Sequence, residues 1–174
     1  MTANELFEHA ALCWRNNHGV GTALVPAPFN DKVLMYQILA KCYARNPTIF
    51  SVIIVESIGQ RNDIIEFLTN QDCTENNAEF KKLINDKFIR VFTKKFIITG
   101  GWTTAANLCI LYRPDDYDVG IALYFSRCHY RLTILNKLIS KENNKGNLYK
   151  DNPILECFKQ TEIDEIRVSS PVEE

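Results

Sequence analysis

Residues 51–70 read SVIIVESIGQRNDIIEFLTN. The first five are almost continuously apolar, the signature of a strand covered on both faces, as the strands of parallel sheets are. The remainder, IGQRNDIIEFLTN, predicts a helix. A buried strand running straight into a helix is half of a crossover unit, and the same alternation recurs on either side of it.

Upstream, a strand is expected at about 20–25, followed by a loop at 26–30. Asn30 or Asp31 can then cap a helix that turns Val33, Leu34, Ile38, Leu39 and Tyr43 inward and stops at Asn46-Pro47. Residues 3–16 place Leu6, Phe7, Ala10, Ala11 and Trp14 on one helical stripe that ends at His18-Gly19. Downstream, the polar QDCTENNAE at 71–79 reads as a loop, EFKKLIND as a helix and FIRVF at 88–92 as a strand. The stretch KKFIITGGWTTAAN breaks at Gly100-Gly101, and LCILY at 108–112 is another strand, closed by Pro114 and the turn DDYD. VGIALYFS at 119–126 reads as a fifth apolar strand. Residues 129–140 read as a helix carrying Leu132, Ile134, Leu135, Leu138 and Ile139, KENNKGN as a loop, and EIRVSSPV as a last extended segment. This order predicts an α/β three-layer sandwich around a mainly parallel sheet of about five to seven strands, with helices on both faces. In such sheets ligands bind at the C-terminal strand ends, so the loops at 26–32, 56–59, 93–104, 113–118 and 126–131 are where chemistry is expected.

The chain has 174 residues, the size of one domain, and its apolar fraction of 46% is enough to build a real core. It is therefore read as one domain over 1–174, with 151–174 as an acidic C-terminal segment. No run approaches the ~18 consecutive apolar residues of a membrane span. The N-terminus MTANELFEHAALCWRNN places acids inside an amphipathic pattern, unlike a signal peptide. An intracellular location, cytoplasm or nucleus, and no membrane partner are expected. Six cysteines at 13, 42, 73, 109, 128 and 157 form no CxxC pair and read as reduced thiols, with Cys42 and Cys109 acting as small buried hydrophobes.

The net charge of −1 hides an asymmetry. Between 127 and 150, Arg127, Arg131, Lys137, Lys141, Lys145 and Lys150 face only Glu142, whereas seven acids follow in 151–174. The basic segment is either a solvated face or a contact for nucleic-acid phosphates. Arg127, His129 and Arg131, read as lying just past the fifth strand, are candidates for an anion site. Trp102 and Thr103, after the paired glycines, offer an aromatic face and a hydroxyl to a nucleic-acid strand; the plainer alternative has Trp102 plugging the core. Asp115, Asp116 and Asp118 could offer hard oxygen ligands to a divalent cation, or simply form a capped, solvated turn.

With these elements in order, the chain resembles the first RecA-like domain of superfamily-two helicases, the DEAD/DEAH or restriction-enzyme type of translocase. The segment APFNDKV at 27–33 occupies the place of that family's A-x-x-G-x-G-K-T phosphate loop, with Lys32 at its lysine. VIIVESIGQRNDIIEFL resembles the next strand and helix. LCILYRPDDYD falls where the D-E-x-H box belongs, and IALYFSRCHYRL where a strand runs into S-A-T. The resemblance implies a RecA-like, P-loop-like fold and, as partners, DNA or RNA, a second helicase-type domain that supplies an arginine finger, or other protein subunits. The chain also departs from the family where its chemistry resides. Phe29 and Asp31 replace glycines that let backbone N–H groups curl around phosphate, and Val33 replaces the hydroxyl that holds Mg²⁺. Tyr112-Arg113 replaces the Asp-Glu pair that holds metal and polarises water.

The resulting expectation is a pseudo-ATPase rather than an enzyme, with no catalytic residue, no cofactor and Lys32 as a relic of phosphate binding. Such a domain would serve as a nucleic-acid-associated or protein-docking module, with Trp102, Thr103, Arg127, His129, Arg131 and Lys137 as its nucleic-acid contacts. Two other readings stand beside it: an active nucleotide- or metal-dependent enzyme using Asp115, Asp116 and Asp118 at the sheet's C-terminal edge, and a pure protein-interaction scaffold.

Overall fold

The computed structural model describes residues 5, 8, 19–25, 30–70, 77–150 and 154–156. Within them the order is β1 (Gly19–Leu24), α1 (Asp31–Arg45), β2 (Ser51–Val55), α2 (Ile58–Thr69), α3 (Asn77–Asn85), β3 (Ile89–Thr93), α4 (Lys94–Ile98), β4 (Leu108–Tyr112), α5 (Val119–Phe125), β5 (Tyr130–Leu135) and the short β6 (Leu155–Glu156). The strands form one sheet in the order β3-β2-β4-β5-β1-β6, and every pairing is parallel. The expected helix at 3–16, apart from the exposed helical residues Glu5 and Glu8, lies outside the described residues, as do EIRVSSPV and Cys13, Cys73 and Cys157.

SVIIV is buried at every position, as its composition requires. Alternate residues serve opposite faces: Ile53 and Val55 join a core with α1, α2 and α3, while Val52 and Ile54 join a second one with α4 and α5. The first core takes Leu34, Ile38 and Leu39 of α1, none of them exposed. Each such side chain is worth about 1.5–3 kcal/mol on full burial. Asn30 caps α1 by accepting from Lys32 N, and Ser57 caps α2 by accepting from Gln60 N. Cys42, Cys109 and Cys128 are buried free thiols.

The chain departs from expectation after Pro114. VGIALYF is a helix rather than a strand: Asp118 caps it, and Ile121, Tyr124 and Phe125 turn inward at helical spacing while Val119 and Leu123 stay exposed. The predicted helix at 129–140 is instead β5, in which Tyr130, Leu132 and Ile134 enter the first core and alternate with Arg131 and Thr133. This strand fills the gap between β1 and β4, where two neighbours satisfy its backbone, and that gain overrides the weak local preference. A short helix not foreseen, α4, starts at a Thr93 cap and closes with a Schellman arrangement. Gly100 N bonds to Ile97 O and Gly101 N to Phe96 O, with Gly100 at φ +82° where an L side chain would be strained.

Candidate functional site

Two charge networks line the C-terminal edge of the sheet. The first joins the head of α1 to the end of β4. Asp31 is buried there, its Oδ1 accepting a 2.6 Å hydrogen bond from the Tyr112 hydroxyl and its Oδ2 lying 3.2 Å from Arg113 Nε. Burial, reinforced by the Asp31 anion, pushes the Tyr112 hydroxyl above its ordinary range and keeps it a donor. Arg113 reaches back from the left-handed region at φ 47°, an uncommon conformation for a residue with a side chain.

The second network spans β2, β3 and β4. Glu56 directly follows β2 and Lys94 directly follows β3, and their side chains pair at 3.0 Å. Lys94 also pairs with Asp116, and the other Glu56 oxygen accepts from Asp115 N at 3.0 Å. Burial alone would lower the Lys94 ammonium, but its hydrogen bonds to Asp116 and Glu56 outweigh that and hold it above the ordinary lysine value.

The aspartates after β4 are thus divided among other tasks. Asp118 is spent on capping α5, Asp116 on Lys94, and Asp115 is exposed. Among the described residues no three His, Cys, Asp or Glu side chains are placed to hold a metal ion. Lys32 is half-buried at the second position of α1, with no ion pair among the described residues.

The remaining candidates do not form one surface. Arg127, His129 and Arg131 were expected beyond the fifth strand, yet β5 begins only at Tyr130, so they belong to its N-terminal end, away from the two networks. His129 is exposed and its Nδ1 lies 3.3 Å from Asn107 Nδ2. Lys137 follows the other end of β5, roughly 20 Å from the strand's start at ~3.3 Å per residue. Trp102 is half-buried, its ring packed on Phe50 and Phe92 under the Arg90 guanidinium and its Nε1 donating to Thr104 O. Trp102, Thr103 and Arg127 do meet, in a cleft of about 160 Å³ also lined by Ile97, Leu123 and Tyr124.

Glu56 and Lys94 went unnoticed in the sequence as a pair. Their signal was present, each being a charged residue immediately after a strand of a parallel sheet. The sequence matches no model of a known protein family and no curated protein. Among the described residues no helix is long and apolar enough to cross a membrane.

Proposed function

We propose that this chain is a helicase-like α/β domain that has lost nucleotide hydrolysis and works as a docking module, for nucleic acid or for a protein subunit, in a larger replication, transcription or defence-related assembly. The observation that carries this reading is the lock of Asp31 by Tyr112 and Arg113. These are the residues standing where the resemblance places a phosphate-loop glycine and the metal-holding acidic pair. The sheet order β4-β5-β1 brings their two segments together, as a shared nucleotide site would require. In this chain they satisfy one another, and a triphosphate would meet the Asp31 carboxylate instead of backbone N–H groups.

The docking part is supported by the opposite layer. There α4 and α5 leave Phe96, Ile98, Val119 and Leu123 exposed, near the cleft of Trp102, Thr103 and Arg127. A metal-dependent enzyme using Asp115, Asp116 and Asp118 has less support, since two of the three are already engaged.

Calorimetric titration of ATP with Mg²⁺ into the chain and into Lys32→Ala tests the loss of the nucleotide site. No saturable heat is expected from either, and binding that disappears in the variant would overturn the reading. Fluorescence anisotropy of labelled single-stranded DNA and RNA, at low and high salt and with Arg127→Glu, then separates the partners. Salt-sensitive binding weakened by the reversal assigns nucleic acid, and no binding favours a protein subunit.

A further inference from the structure

A second cleft, of about 210 Å³, opens where the basic segment folds over β1 and β5, and its walls include Val20, Tyr117, Ser126, Arg131, Asn147 and Leu148. Its charged group is Arg131, whose ion pairs with carboxylates are nil among the described residues. The buried side-chain polar atoms without a hydrogen-bond partner, among the described residues, are Thr22 Oγ1, Arg90 Nε, Arg131 Nε and Thr133 Oγ1. Three of these four are neighbours. Val20 pairs with Arg131 and Thr22 with Thr133 across the β1–β5 ladder, so strand alternation sets the threonines and the arginine on one face of the sheet. All three atoms can donate, and an isolated donor in a buried site is costly. The threonine hydroxyls can accept as well as donate, whereas the guanidinium only donates, and of the three residues it is Arg131 that lines the cleft.

No partner for Arg131 Nε is found among the described residues. The late carbonyls of α5 are taken, Leu123 O by Ser126 Oγ, Tyr124 O by Arg127 N and Phe125 O by Cys128 N. One oxygen of the Asp118 carboxylate, Oδ1, accepts from Ile121 N. The wall itself is firmly built: Tyr117 N bonds to Asn143 O and Gly146 N to Tyr117 O, both at 2.7 Å. A Cβ at Gly146 would come within 2.9 Å of Ala122 Cβ and the Asp118 carbonyl, so only glycine lets the turn close on α5.

We propose that this cleft binds a small oxyanion of phosphate size, held by the Arg131 guanidinium with the Tyr117 hydroxyl and the Asn147 amide as further donors. Its volume fits an isolated anion or the phosphate end of a small ester better than a whole nucleotide, which needs the larger pockets typical of cofactors. The site lies at the N-terminal part of β5, away from the C-terminal edge where Asp31 is locked, and is independent of whether that edge binds ATP.

The test is calorimetric titration of the full chain with inorganic phosphate and with phenyl phosphate, at constant ionic strength set by chloride. Saturable binding of one or both is expected, weakened at least tenfold in Arg131→Met, which keeps the aliphatic stem, and about threefold or more in Tyr117→Phe. Binding of the free ion alone, or of the ester as well, identifies the source of the phosphate. Absence of saturable binding of either up to 10 mM would overturn the proposal, as would unchanged affinity in Arg131→Met. Should that variant fail to fold by circular dichroism, unchanged affinity in Tyr117→Phe would overturn it equally.

Discussion

The Asp31 carboxylate lies 3.2 Å from the Arg113 guanidinium, joining the start of one helix to the end of a strand about 80 residues later. Arg113 is two-fifths exposed and Asp31 nearly buried, so the pair belongs between the weak surface and costly buried extremes. Arg113→Ala is expected to cost about 1 kcal/mol by urea denaturation. Arg113→Gly removes the same partner but also relieves the left-handed backbone, and should be less destabilising than alanine by up to about 1 kcal/mol. Equal losses in the two variants would mean that the backbone at 113 carries no strain.

Lys94 holds two carboxylates, and Lys94→Met leaves both without their cation. A loss of about 1–2 kcal/mol at neutral pH is expected, tempered by the exposure of Asp116. Because the folded state raises the Lys94 pKa, its contribution is complete below the ordinary value of 10.5 and declines as pH climbs through the higher folded value. Urea melts of both proteins should therefore differ by a constant amount from pH 7 to 9 and converge above about pH 10.5.

Gly146→Ala should destabilise by about 1–3 kcal/mol, since its methyl would collide with the Tyr117 ring, Ala122 and the Asp118 carbonyl. Tyr117 packs edge-on against Phe125 of α5 and Ala122 is part of that helix, so relaxation is limited. A thermal melt within one degree of the parent would show that the turn can retreat.

Thr133→Val replaces a buried hydroxyl that has no partner by a methyl of nearly the same shape. The variant should be neutral or more stable by up to about 1 kcal/mol. A clear loss of stability would reveal that the hydroxyl is satisfied in solution.

The parallel sheet was legible because SVIIV and LCILY are almost continuously apolar, a pattern that burial on both faces explains. Asn30 likewise marks the start of α1 by its side-chain cap, and Asn46-Pro47 its end. The exchange of helix and strand after Pro114 was harder to see. VGIALYF is short and apolar enough for either state, and YRLTILNKLI contains both a two-residue alternation and a helical stripe. What decides between them is the slot between β1 and β4, which is tertiary information. The candidate site followed the same division. Asp31 and Tyr112-Arg113 were recognisable as misfits at their positions, but that they bind each other depends on sheet order. The placement of Arg127, His129 and Arg131 inherited the error in β5, because a residue after a strand and a residue before one lie at opposite edges.

The pairing of β1 with β5 also has a consequence for how the chain is made. Val20 meets Arg131, about 110 residues later, so the ribosome must release that intervening stretch before β1 gains its principal neighbour. Until then GVGTAL is an unpaired apolar strand, open to chaperones and to other nascent chains. A sheet ordered this way folds late, and its yield in a cell depends on what protects its first strand during translation.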